Sequence, residues 1–169
     1  MEANGTAQVG DLAGRTTRGG TNLPRRILVV DDEAAIRLFS SAVLRSSGYE
    51  VDAAEDGAAG WEALHGKDYD LLITDNQMPR VSGVELIDKL HDAHMELPVI
   101  MASAAFPADK LTRNPPLELA AALPKPFSGE QLLKTVNAVL GGAPERLDFP
   151  PSWRSQPSAD LRLKAYQTP

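Results

Sequence analysis

The feature that most constrains this chain is a set of short apolar runs that do not alternate with polar residues. Ile27-Leu28-Val29-Val30, Leu71-Leu72-Ile73-Thr74 and Val99-Ile100-Met101-Ala102 are rich in β-branched and aliphatic residues and bounded by polar or turn residues. A strand with one wet face alternates; a strand that does not is buried on both faces, as in a parallel sheet. Parallel neighbours need crossover connections, usually helical. The intervening segments supply them.

After Asp31-Asp32, residues Ile36, Phe39, Val43 and Leu44 recur at helical spacing, and Gly48 closes that segment. Tyr49–Ala54 reads as a second strand, and Ala58–His65 as a short helix with Trp61 and Leu64 on one side. Asp70–Thr74 is the third strand, Val84–His94 a helix, residues 98–103 the fourth strand, and residues 120–124 a weaker fifth. Ser128 is a suitable N-cap for a last helix with Leu132, Leu133, Val136, Val139 and Leu140 inward, stopped at Gly141-Gly142. Repeated β-α units predict an α/β fold: a doubly wound, five-stranded parallel sheet with helices on both faces. Phe39 and Trp61 are expected in the core. One unit is irregular. Pro107, Pro115 and Pro116 fall between the fourth and fifth strands, so the fourth helix is expected to be shortened or broken, with a piece near Ala108–Arg113.

The 169 residues accommodate one domain with extensions. Residues 1–23, rich in Gly and Thr, read as a disordered extension. The domain spans 24–142, and 143–169 reads as a largely irregular tail in which Trp153 is a candidate anchor. A formal charge of -6 argues against nucleic-acid binding. With no cysteine there is neither a disulfide framework nor a thiolate metal site. No apolar run approaches the ~18 residues that span a bilayer, and the N-terminus lacks a secretory core. The expectation is a cytoplasmic protein without membrane contact.

In an open parallel sheet, ligands bind at the carboxyl ends of the strands. Those ends carry Asp31-Asp32, Asp75, Ser103 and Lys125. Crowded carboxylates repel unless a cation joins them, and Mg2+ suits a site of one or two carboxylates and a phosphate. A hydroxyl and an ammonium donate hydrogen bonds to phosphoryl oxygens. Asp75 is the strongest nucleophile candidate, because Pro79 and Gly83 follow it in an open loop. Taken singly, these residues have plainer readings: Asp31 and Asp32 as caps of a turn, Asp75 as an Asx turn, Ser103 as structural, Lys125 as a solvated lysine. His91 and His94 share a helical face at i, i+3, but no third ligand accompanies them.

The set "VVDDE", "DLLITDNQMPRVSG", "PVIMAS" and "PKPF" resembles the receiver domain of two-component response regulators, over roughly residues 24–142, as a stand-alone, flavodoxin-like unit. The resemblance implies that Asp75 accepts a phosphoryl group from a sensor histidine kinase or a phosphotransfer protein. It implies Mg2+ held by Asp32 and Asp75, by Asp31 largely through water, and by the Gln77 backbone carbonyl. It also implies a phosphoryl contact for Ser103 and for Lys125, a cis Lys125–Pro126 bond, and a monomer or weak dimer. Such a domain is a switch, not an enzyme beyond promoting its own phosphoryl transfer and dephosphorylation. One position departs from the family pattern: Ala122 stands where an aromatic residue is usual. Two other readings remain, a pseudo-receiver that binds partners without phosphate, and an aspartate-nucleophile phosphatase of the haloacid-dehalogenase type. The latter needs Asp-x-Asp where this chain has Asp31-Asp32-Glu33.

Overall fold

A computed structural model describes residues 23–105 and 119–141. Five strands, β1 (Arg26–Val30), β2 (Glu50–Ala54), β3 (Leu71–Thr74), β4 (Val99–Ser103) and β5 (Ala121–Pro124), form one sheet in the order 2-1-3-4-5. Every pairing is parallel. Four helices are described: α1 (Ala34–Ser46), α2 (Gly57–Gly66), α3 (Gly83–Asp92) and α4 (Gly129–Leu140). The expected doubly wound sheet is present. The proline-rich segment expected to hold a shortened fourth helix, and the two terminal extensions, lie outside the described residues.

The unalternating runs are buried on both sides, and each sends its side chains to two separate cores. Ile27, Val29, Leu71, Ile73, Ile100 and Leu123 pack with Leu44 of α1 and with Leu132 and Val136 of α4. On the opposite face, Leu28, Val30, Leu72, Val99 and Met101 pack with Leu64 of α2 and with Leu86, Ile87 and Leu90 of α3. Each fully buried aliphatic side chain contributes about 1.5–3 kcal/mol, so the sheet carries much of the stability. This two-sided burial fixes the strand register and therefore where each strand ends.

Local signals set the helix boundaries. Ser82 and Glu85 form a reciprocal capping box at the start of α3, and Ser128 and Gln131 do the same for α4. Gly48 follows α1 with φ of 90°, a backbone angle that suits glycine. Two expectations need correction. Phe39 is 40% exposed, because the inward face of α1 is made by Ser40, Ser41 and Leu44; its ring lies at the edge, 6.3 Å from that of Phe127. His94 does not share a helical face with His91: α3 ends at Asp92 and His94 turns to φ of 53°. Trp61 is partly buried against the second core, as expected.

Asp56, 1% exposed, ties the start of α2 to the loop after β3. Its carboxylate accepts the Ala59 N–H at 2.9 Å and pairs with Arg80, which adopts φ of 65°. Burial pushes the Asp56 carboxyl up, but the Ala59 N–H and the Arg80 guanidinium outweigh it and hold the group below the usual range. A pKa depressed by folding stabilises the folded chain above the ordinary aspartate range, and that contribution is lost as pH falls through the folded value. Asp56→Ala is expected to cost about 1–2 kcal/mol in urea unfolding, and Asp56→Asn, which keeps a cap, less. The gap between wild type and Asp56→Asn should hold above about pH 5 and narrow as pH falls below it through the depressed folded value; a gap independent of pH would count against the pairing.

Candidate phosphoacceptor site

The strands of the sheet end in charge at one rim. β1 carries the chain from buried Val30 into Asp31, and the Asp75 N–H bonds the Val30 carbonyl at 2.9 Å, so both acids leave the sheet side by side. Asp31 is 2% exposed and Asp75 6%, whereas Asp32 is exposed. One oxygen from each of Asp31, Asp32 and Asp75 lies within 4.8 Å of the others. This is the acid cluster that the sequence placed at the rim.

Lys125 joins it from the end of β5. Its ammonium lies 2.7 Å from Asp31 Oδ2, 3.3 Å from Asp75 Oδ2 and 3.3 Å from Glu33 Oε1, with only 9% of the side chain exposed. The Lys125–Pro126 bond is cis, as expected. The backbone also brings Ser103 to the site, because the Lys125 N–H bonds the Ser103 carbonyl at 3.1 Å. Ser103 is fully buried, and its Oγ has no hydrogen-bond partner among the described residues. Gln77 sits two residues after Asp75 with its side chain exposed. Asp31, Asp32, Asp75 and Lys125 thus converge directly, Ser103 through its backbone, and Gln77 by its place in the loop.

The electrostatics follow from one ammonium serving two buried carboxylates. Burial pushes the Asp31 carboxyl up, and the Lys125 ammonium and Glu33 N–H offset this only in part. Burial works against the Lys125 charge too, but the bonds and charges of Asp31 and Asp75 outweigh it and hold the ammonium above the usual lysine range. Lys125 is therefore charged at neutral pH, and Asp31 is the strained partner. A set of oxygen donors with exposed Asp32 at its mouth has the chemistry of a hard divalent-cation site.

The loop after Asp75 is held by its own backbone. Asn76 N–H bonds Asp75 Oδ1 at 2.6 Å, and the Asn76 carbonyl accepts from Met78 and from Gly83, each at 3.2 Å. The Asp75 side chain thus bonds the next amide, where an Asx turn would use the one after. Asp31 and Asp32 are likewise not the cap of α1, whose N-cap is Glu33 with no side-chain bond to the helix. Sequence reasoning missed two contributors. Glu33 was visible only as the third acid of its motif, and Arg37, whose guanidinium bonds the carbonyls of Asp31 and Asp32, sat inside a helical pattern that gave no signal.

A doubly wound parallel domain with an acid cluster and a lysine at its carboxyl rim belongs to the class of α/β proteins that bind ligands at that crevice. Residues 27–137 match the response regulator receiver domain family, and the chain belongs to it. It is 32% identical over 118 residues to the response regulator MprA of Mycobacterium sp. strain KMS, covering 70% of this chain and 51% of the relative. The MprA of Mycobacterium ulcerans is 34% identical over 115 residues, 68% of this chain and 50% of the relative. The chain spans about half the length of these curated relatives. Among solved structures, the chemotaxis protein CheY4 of Vibrio cholerae superposes with a TM-score of 0.62 at 30% identity, over 69% of this chain and 98% of that one. The response regulator TrrA of Thermotoga maritima, solved in complex with Mg2+-BeF, gives 0.60 at 30% identity, over 68% and 98%.

Gly83 is where the acceptor loop and α3 meet most closely. A Cβ there would collide with the Asp75 carbonyl oxygen, which is backbone and cannot rotate away. Gly83→Ala is expected to lower stability by about 2 kcal/mol or more in urea unfolding and to move the Asp75 and Asn76 amide resonances. An unchanged spectrum and unfolding midpoint would show the approach to be looser than described.

Proposed function

We propose that this domain is a phosphorylation switch acting in the cytoplasm: Asp75 accepts a phosphoryl group from a phosphohistidine on a sensor histidine kinase or phosphotransfer protein, and partner binding changes as a result. The observation that carries this reading is the shared ammonium of Lys125, 2.7 Å from Asp31 and 3.3 Å from Asp75. It supplies positive charge next to the carboxylate that would react.

In the proposed reaction, an Asp75 carboxylate oxygen attacks phosphorus, the bond from phosphorus to the donor imidazole breaks, and the donor leaves with that electron pair. The product is an aspartyl phosphate. Lys125 stays beside the oxygens on which negative charge accumulates. The unpartnered Ser103 hydroxyl has a hydrogen bond to give, and a phosphoryl oxygen would accept it. Asp32, Asp75, Asp31 through water and the Gln77 carbonyl would hold Mg2+, which their oxygen chemistry suits. When bound, Mg2+ adds positive charge against the phosphoryl oxygens. That the similar TrrA was solved in complex with Mg2+-BeF supports Mg2+ binding by this domain. The domain promotes only its own phosphoryl transfer and dephosphorylation.

Ala122 favours a second reading, a pseudo-receiver that binds partners without phosphate. It pairs with Met101 across the sheet and offers no ring whose rotation could report the state of Asp75. One experiment separates the readings. Incubation with Mg2+ and acetyl phosphate, followed by intact-mass measurement, should show one phosphate-sized increment that is absent in Asp75→Asn. No increment in the wild type under any condition would instead support the pseudo-receiver.

A further inference from the structure

Asp32 is exposed, and among the described residues nothing bonds its carboxylate, so its aim is set by its backbone. That backbone lies past the sheet. The register of β1 with both neighbours ends at Val30, which leaves the carbonyls of Asp31 and Asp32 beyond the last paired position. Both are taken by a single guanidinium nitrogen: Arg37 Nη1 donates to the Asp31 carbonyl at 2.6 Å and to the Asp32 carbonyl at 2.9 Å. Every other group of Asp31 is already fixed, its N–H by the Ala54 carbonyl at 3.2 Å, Oδ1 by the Glu33 N–H at 2.9 Å and Oδ2 by Lys125. For Asp32, the clamp on its carbonyl is the contact that remains.

Arg37 is also oddly placed on electrostatic grounds. It lies in the opening turns of α1, where the helix dipole disfavours a cation, and the N-cap Glu33 makes no side-chain bond to that end. A cation accepted there needs a compensating role, and tying two consecutive carbonyls is one. We propose that Arg37 is a positioning residue for the cation site: it locks the Asp31–Asp32 turn so that the Asp32 carboxylate faces Asp75 before a metal arrives. This rests on the Mg2+ reading above.

A clamp and a bare charge have opposite consequences. As a charge, Arg37 repels a dication, and its removal tightens Mg2+ binding. As a clamp it pre-organises the ligands, and its removal weakens binding; groups that orient metal ligands typically account for 10–100-fold in affinity. Mg2+ titration of the full chain by calorimetry is therefore decisive, with Asp32→Asn as the control for the site itself. Arg37→Gln is expected to weaken Mg2+ binding about 10-fold. Arg37→Lys keeps the charge on a shorter stem that lacks the planar fork, and should also bind less tightly than wild type. Phosphorylation by acetyl phosphate should split accordingly: a higher Mg2+ concentration for half-maximal rate, with the maximal rate within about twofold of wild type. Equal or tighter Mg2+ binding in Arg37→Gln, or wild-type affinity in Arg37→Lys, overturns the clamp alone. If Arg37→Gln does not fold, Arg37→Lys decides by the same criterion. Wild-type protein that binds no Mg2+, or binds it unchanged in Asp32→Asn, overturns the site reading and the clamp with it.

Discussion

The contact on which the rest depends is the one between the Lys125 ammonium and the two buried carboxylates of Asp31 and Asp75. Removing acids from water is costly, and two carboxylates this close repel each other, so the pair needs a cation beside it at the rim. Lys125 supplies that cation from within the chain. It does so incompletely: the Asp31 carboxyl stays above its usual range, chiefly because burial outweighs the lysine. A cluster held together yet undercompensated in charge is primed for a further cation.

The fold places the contact by burying strands on both faces. β1 and β3 have no freedom to slip, because a shift by one residue would exchange the two cores, and β5 is held by Ala121 and Leu123 in the first core. Asp31, Asp75 and Lys125 therefore leave the sheet at fixed positions, and the loops need only complete the geometry. They do so through backbone bonds around Asn76 and through the close approach of Gly83 to the Asp75 carbonyl. Ser103 reaches the site in the same way, its carbonyl bonded to the Lys125 N–H while its hydroxyl is left without a partner among the described residues.

The strand cores and their carboxyl ends were legible in the sequence because both arise from local pattern: unalternating apolar runs, then a charge where the run stops. Helix starts at Ser128 and after Asp31-Asp32 were legible for the same reason. Phe39 was misread because helical spacing gives a stripe but not its rotation, and two small serines turned out to face the sheet. His94 was misread because a single residue at positive φ ends α3 without a glycine to announce it. Arg37 and Glu33 were invisible as site residues. Their roles come from contacts, one to backbone carbonyls and one to Lys125, and a carbonyl leaves no signature in a residue pattern.

Lys125 is proposed to balance the acid cluster until a metal shares the task. The direct measurement is urea unfolding of wild type and Lys125→Met at neutral pH, with and without Mg2+. Without Mg2+ the variant should be less stable by about 3 kcal/mol, as when one partner of a buried ion pair is removed. Added Mg2+ should stabilise the variant more than the wild type, because it meets carboxylates with no other cation. A variant as stable as wild type without Mg2+, or one that gains no more from Mg2+ than wild type does, would contradict the claim.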